Sequence, residues 1–147
     1  MALQLASSIT GSGPPLLILH GLFGSATNWR SMARKLDTSH TVHALDLRNH
    51  GASPWADTMV YTEMEDDVRH YIQQHDLGAV SIMGHSMGGK TAMALALAYP
   101  ALVRQLIVVD IAPRSYTDSL SNYAQAMRGI DLVAAASRGE VQRQLQA

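Results

Sequence analysis

A serine between glycines, directly after a short apolar run, constrains the fold of this chain more than any other feature. Residues 84–88 read GHSMG, which places Ser86 in a G-x-S-x-G pattern. Glycines on either side permit the strained backbone of a sharp strand-to-helix turn and let the two elements approach closely. Residues 79–83 predict a buried strand, and residues 87–99, apolar on nearly every face, predict a helix packed against a sheet. The stretch is therefore typical of a nucleophile elbow that presents the Ser86 hydroxyl.

Two backbone amides are candidates to stabilise an anion beside Ser86. The helix that follows the serine points its free N–H groups and its positive dipole end towards the turn, so the amide of Met87 is placed to donate. A second apolar run, residues 16–19, ends in HGLFG at residues 20–24. In a hydrolase this loop supplies the second donor, and we expect the amide of Leu22, with that of Phe23 next in line. An ordinary strand-to-helix loop is the alternative.

Composition excludes several classes of function. The 147 residues are 47% hydrophobic, with a net charge of −1, which suits one globular domain without a basic surface for nucleic acid or anionic membranes. No apolar run is long enough to span a membrane, and the N-terminus lacks the basic start of a signal peptide. The absence of cysteine excludes disulfides and thiol catalysis. We therefore expect a cytoplasmic protein with no nucleic-acid or membrane partner.

Strand and helix patterns alternate along the chain. Alternation of this kind predicts βαβ units, a mostly parallel sheet, right-handed crossovers and helices on both faces. Thr62 and Glu65 have the spacing of a capping box at the start of one helix. The predicted strands cover residues 3–9, 16–19, 41–47, 79–83 and 106–109, the last of them buried. The predicted helices cover residues 27–36, 62–75 and 87–99.

The pattern changes after the fifth strand. From Tyr116 onward, apolar residues at helical spacing predict two helices, one containing Leu120, Tyr123, Ala124 and Met127 and one containing Val141 and Leu145. We expect residues 1–115 to form the core domain and residues 116–147 to form a separate helical segment.

Serine catalysis needs three residue types, and two of them are expected at one edge of the sheet. Ligands bind beyond the carboxyl ends of parallel strands, where Ser86 and Asp110 should both lie. A serine needs an imidazole to take its proton, and the imidazole needs a carboxylate. Asp110 is the candidate carboxylate, although a turn or capping role before Pro113 is the alternative.

The catalytic base is missing from this arrangement. In folds with this elbow the histidine follows the acid, yet the last histidine in the sequence is His85. We expect the His85 side chain to point away from the pocket, His20 to support the loop that follows it, and His50 to tie its own loop together. The simplest interpretation is a chain that lacks a C-terminal part carrying the last strands and the histidine.

These motifs resemble those of the α/β-hydrolase superfamily, in particular bacterial esterases and acyl-CoA thioesterases and their eukaryotic abhydrolase-domain relatives. The resemblance rests on residues 16–24, 46–51, 84–90 and 109–113. It implies an α/β-hydrolase fold, with Ser86 as nucleophile, Asp110 as acid and Leu22 and Met87 as oxyanion donors. It also implies that Tyr116 begins a helical cap over the acyl pocket.

The expected substrate is an acyl ester or an acyl-CoA thioester, with Phe23 and His20 as substrate-binding residues. Lys90 is either a phosphate contact for acyl-CoA or a solvated lysine. A carbon–carbon bond hydrolase with the same triad, or a non-catalytic fragment that acts as a binding or assembly module, are the alternatives. The histidine spacing matches no zinc motif, so neither a metal nor another cofactor is expected. The oligomeric state stays open.

Overall fold

The computed structural model describes residues 1–115 and 121–146. Within these residues, five strands form one sheet, in the order β1, β3, β2, β4, β5. Only β1 runs antiparallel, against β3, while the other neighbouring strands are parallel. The predicted mostly parallel α/β sheet is confirmed. The strands are β1 Ser7–Thr10, β2 Pro15–Leu19, β3 Thr41–Leu45, β4 Val80–His85 and β5 Val103–Val109.

Helices cover both faces of the sheet, as predicted. A 3₁₀ turn, Ala26–Trp29, leads into α1 (Arg30–Leu36), which packs on one face through Ala33. Helices α2 (Tyr61–Gln74) and α3 (Met87–Ala98) pack on the other face. Central strands buried on both sides need apolar residues at successive positions, which explains why the LLIL run of β2 is fully enclosed.

The start of α2 differs from the prediction. The helix begins at Tyr61, so Thr62 lies inside its first turn and the predicted Thr62–Glu65 capping box is wrong. Val60 occupies the N-cap position, and the Glu63 carboxylate accepts a hydrogen bond from the Val60 N–H at 3.4 Å. The Thr58 hydroxyl donates to the same carboxylate at 2.7 Å, and the N-cap lies two residues before the predicted Thr62.

Strand β5 is present but is not buried as predicted. Residues 104–107 of this strand are exposed, with Leu106 at 39% and Ile107 at 44%. In the described part of the chain β5 pairs with β4 alone, so it forms the edge of the sheet. Apolar sequence predicted the strand correctly but carried no information on whether a further element covers it.

Contacts divide the chain into two units, Met1–Pro113 and Arg114–Ala147. The second unit contains α4 (Ser121–Arg128) and α5 (Arg138–Gln146), where two helices were predicted. Tyr116 and Leu120, at the predicted start of the cap, lie outside the described residues, and the cap itself stays a prediction. Among the described residues, no helix combines the length and apolar character needed to cross a membrane.

Candidate active site

Ser86 occupies a strained turn between β4 and α3. Its backbone has φ 50° and ψ −114°, a conformation rarely adopted by residues with a side chain. The Ser86 N–H donates to the Val109 carbonyl at 3.0 Å, which fixes the turn to the end of β5. Ser86 is half-buried, and Met87 begins the helix immediately after it. The local geometry is that of the predicted nucleophile elbow.

The glycines beside Ser86 are required by close backbone contacts. A Cβ atom on Gly84 would lie 2.3 Å from the Gly88 carbonyl oxygen, and one on Gly88 would lie 2.5 Å from the Leu19 carbonyl oxygen. Both distances are far below van der Waals contact, and the opposing atoms are backbone atoms that cannot rotate away. Helix α3 can therefore approach β4 and β2 only because these positions carry no side chain.

The loop of residues 21–24, here called the glycine loop, lies against the elbow. A Cβ atom on Gly21 would stand 2.8 Å from His85 Nδ1 and 3.4 Å from the Ser86 Cβ. The loop closes on itself through a hydrogen bond from the Gly24 N–H to the Gly21 carbonyl at 3.0 Å. Phe23, at φ 61°, is a second strained residue with a side chain.

Hydrogen bonding distinguishes the two candidate amides of the glycine loop. The Phe23 N–H donates to His50 Nε2 at 3.2 Å, so it is already engaged. The Leu22 N–H makes no hydrogen bond within residues 1–115 and 121–146. Met87 is the first residue of α3, and an N–H at that position has no partner inside its helix. The geometry thus favours Leu22 over Phe23 as the loop donor, with Met87 as the helix donor.

His20 lies at the end of β2 as a brace for the glycine loop. Only 1% of it is exposed, and both ring nitrogens contact backbone groups: Nδ1 the Gly21 carbonyl at 2.8 Å, and Nε2 the Leu47 N–H at 3.0 Å. Burial is the main cause that lowers the pKa of His20 below its ordinary value of 6.5. With no ring nitrogen left for a substrate, this geometry argues against the predicted substrate contact and favours the supporting role.

Asp110 follows β5 directly and lies beside the elbow. Because Ser86 is hydrogen-bonded to the Val109 carbonyl, the next residue is held close to the serine. The Asp110 backbone is also strained, at φ 54°, and its side chain is 87% exposed. Its Oδ2 lies 3.8 Å from His85 Nε2, a loose ion pair if the imidazole is protonated. Exposure leaves the carboxylate available to another partner.

A cavity of about 480 Å³ opens next to the glycine loop. Phe23 is 57% exposed at this cavity, and a volume of this size suits a small organic ligand. His85 contributes to the wall, but neither Ser86 nor Asp110 lines this cavity, so the expectation that the His85 side chain points away from the pocket at Ser86 stays a prediction. The lining residues are His20, Gly21, Leu22, Phe23, Gly24, Asn28, Trp29 and His85.

A buried ion-pair network behind the site was not predicted. The Arg48 guanidinium donates from Nε to Asp67 Oδ2 at 2.7 Å and from Nη2 to Asp67 Oδ1 at 2.9 Å, and Nη1 reaches Glu63 Oε2 at 2.6 Å. The hydrogen bond to Asp67 is the main cause that raises the pKa of Arg48. The sequence signal was an arginine directly after the predicted strand 41–47, together with two carboxylates four residues apart on α2.

Asp46 joins two loops beside the same edge of the sheet. Its Oδ1 accepts from the Ala26 N–H at 2.7 Å, and its Oδ2 accepts from the Ala52 N–H at 2.9 Å. A side chain on Gly51 would overlap the Asp46 carboxylate, which explains the glycine there. Asp46 therefore organises loops and is not a free catalytic carboxylate. No group of three metal-binding side chains occurs in the part of the chain that the structure describes.

A family model described as alpha/beta hydrolase fold matches residues 14–142. The chain belongs to this family of alpha/beta hydrolase fold proteins. It is 42% identical over 138 residues to the sn-1-specific diacylglycerol lipase ABHD11 of Danio rerio. The matched region covers 90% of this chain and 43% of that protein. It is 38% identical over 102 residues to Esterase YbfF of Escherichia coli K12, covering 69% and 40% respectively.

Solved structures agree with this assignment to the alpha/beta hydrolase fold. A marine microorganism esterase superposes with a TM-score of 0.88 at 43% identity, over 99% of this chain and 58% of that one. The chain spans less than half the length of the two curated relatives. The predicted membership of the α/β-hydrolase superfamily, with its resemblance to bacterial esterases and abhydrolase-domain proteins, is confirmed.

Proposed function

We propose that this chain is the nucleophile-bearing part of a serine hydrolase that cleaves carboxylic esters and acyl thioesters through an acyl-enzyme. The strained Ser86 turn, with the glycine loop against it, is the observation that carries the proposal. A strained backbone at a solvent-accessible serine is common at functional sites, since a purely structural turn gains nothing from the strain. The names of the relatives, a diacylglycerol lipase and esterases, support ester chemistry.

In the proposed reaction the Ser86 oxygen attacks the acyl carbonyl carbon while its proton passes to a base. The carbonyl π electrons move to oxygen, and the resulting oxyanion accepts hydrogen bonds from the amides of Leu22 and Met87. Collapse of this intermediate breaks the bond to the alcohol or thiol, which leaves with a proton. Water then hydrolyses the acyl-serine ester by the same two steps and releases the carboxylic acid.

Asp110 is the proposed carboxylate that orients the base. Its position beside Ser86 and its 87% exposure suit a partner arriving from outside the described residues. The partner that we propose is the one predicted from the sequence, a histidine in polypeptide beyond residue 147. Phe23 is the proposed substrate contact, because it is exposed at the 480 Å³ cavity beside the donor loop.

Labelling of Ser86 by a fluorophosphonate tests the proposal. The 147-residue chain should react slowly, and added imidazole should accelerate the reaction because it supplies the missing general base. Intact-mass and peptide analysis should place the adduct on Ser86. Ser86→Ala should remove labelling, whereas Ser81→Ala, the same substitution within the preceding strand β4, should retain it. A chain that folds by circular dichroism but is not labelled with or without imidazole supports a binding module instead.

Acyl transfer from two donors tests the thioester part of the proposal. A p-nitrophenyl butyrate ester and butyryl-CoA should both add one butyryl group to Ser86 in the presence of imidazole, because both pass through the same acyl-enzyme. An adduct from the ester alone contradicts thioester cleavage and leaves ester cleavage standing.

A further inference from the structure

Two buried histidines contact the backbone of the glycine loop. His20 is 1% exposed and His50 is 9% exposed, and their ring centroids lie 5.0 Å apart. His20 contacts the Gly21 carbonyl at the start of the loop, and His50 contacts the Phe23 N–H two residues later. Leu22, whose amide is the proposed oxyanion donor, lies between these two contacts.

The partners of His50 define its tautomer. A carbonyl oxygen can only accept, so His50 Nδ1, 2.8 Å from the Arg48 carbonyl, must carry a hydrogen. An amide N–H can only donate, so Nε2, 3.2 Å from the Phe23 nitrogen, must present its lone pair. Both bonds exist together only in the neutral ring with hydrogen on Nδ1. A protonated ring would direct an N–H at the Phe23 N–H.

The Phe23 conformation needs such a contact. At φ 61° a residue with a side chain is strained, by about 1–3 kcal/mol, and stays in place only if its surroundings hold it there. Among the residues that the structure describes, the Phe23 N–H donates a hydrogen bond to His50 and to no other group. Loss of this bond allows the loop to relax, and the Leu22 amide, one residue away, then shifts relative to Ser86.

We propose that neutral His50 is a positioning residue for acyl transfer: by accepting the Phe23 N–H it fixes the Leu22 amide beside the Ser86 hydroxyl. This inference rests on the proposed function only for its catalytic consequence, because the hydrogen bond itself is testable without any reaction. His50 receives its own orientation from the Arg48 carbonyl. Arg48 is in turn fixed by the bidentate pair with Asp67 and by Glu63.

Substitution of His50 separates positioning from a merely structural role. His50→Gln retains one donor and one acceptor, whereas His50→Phe retains ring size but neither. Amide hydrogen exchange by NMR should show the Phe23 N–H protected in the wild type and in His50→Gln, and at least ten-fold faster exchange in His50→Phe. His40→Phe, the same change at a loop position outside the site, should leave Phe23 protection unchanged.

The fluorophosphonate reaction at Ser86 should follow the same order. His50→Phe should label at least ten-fold more slowly than the wild type, and His50→Gln should recover most of the rate. Equal Phe23 exchange in all variants overturns the inference, whatever the labelling result. Faster exchange with an unchanged labelling rate overturns its catalytic consequence. Absence of labelling in every protein, with exchange as expected, instead contradicts the proposed function.

The unmodified chain provides a test that does not depend on a variant folding. Its Phe23 amide should be protected from hydrogen exchange, and the NMR signals of the His50 ring nitrogens should show the tautomer with hydrogen on Nδ1, because Nδ1 contacts the Arg48 carbonyl and Nε2 accepts from the Phe23 N–H. A ring with hydrogen on Nε2, or an unprotected Phe23 amide, overturns the inference.

Discussion

Removal of the Asp67 charge should destabilise the first unit strongly. The side chains of Arg48 and Asp67 are 2% and 1% exposed, and the carboxylate also accepts from the Leu3 N–H at 2.6 Å. Breaking a buried pair by removing one partner costs about 3–5 kcal/mol, because the remaining charge stays buried. In Asp67→Asn the guanidinium keeps its contact with Glu63, which is 33% exposed, so we expect a cost of about 3 kcal/mol, at the lower end of that range.

Urea unfolding followed by circular dichroism measures this cost. With a slope of about 2 kcal/mol per molar urea, the midpoint should fall by about 1.5 M. The matched control is Asp66→Asn, one residue earlier, where the carboxylate pairs with Arg69 on the surface of α2. A pair that water reaches, as it does here with side chains 27% and 35% exposed, contributes about 0–1 kcal/mol. Equal midpoint shifts in the two variants refute the conclusion that burial makes the Arg48–Asp67 pair more stabilising than the Asp66–Arg69 pair.

Two further outcomes follow from the structure. Gly88→Ala should lower the urea midpoint and slow labelling of Ser86, because the new Cβ would lie 2.5 Å from the Leu19 carbonyl oxygen. The control Gly139→Ala, whose Cβ would lie 3.7 Å from its nearest neighbour, should do neither. An unchanged midpoint in Gly88→Ala contradicts the close packing of α3. Burial lowers the pKa of His43 below 6.5, so the unfolded chain binds protons more readily and stability should fall as pH decreases below about 6.5. His43→Asn should reduce this loss between pH 7.5 and 5.5 and His40→Asn should not, as measured by urea midpoints at both values.

The elbow was predictable because its signal is local. Gly84, Ser86 and Gly88 lie within five residues, so the pattern can be recognised in one short stretch, although the contact that requires Gly88 is with the Leu19 carbonyl of β2. The alternation of apolar runs and amphipathic helices likewise predicted the parallel sheet, since each element shows its own buried face in its own residues.

Properties that depend on distant residues were not predictable in the same way. The Arg48 network joins side chains 15 and 19 residues apart, and nothing local distinguishes Asp67 from the half-buried Asp66 beside it. The helix start shifted from Thr62 to Tyr61 because Glu63 also binds the Thr58 hydroxyl, a contact outside the capping-box pattern. Exposure of β5 depends on what lies beyond the edge of the sheet, which its own apolar residues do not encode.

The strained residues at the site are local features that depend on contacts with distant residues. Phe23, Ser86 and Asp110 have φ between 50° and 61°, and each such residue costs about 1–3 kcal/mol. Phe23 is held by His50, and Ser86 is held by the Val109 carbonyl, so the loop after β3 and the end of β5 supply the restraint. The glycine loop therefore depends on a sequence of contacts that runs from Asp67 through Arg48 to His50. Asp67→Asn, although remote from Ser86, should consequently weaken protection of the Phe23 amide, whereas Asp66→Asn should leave it intact.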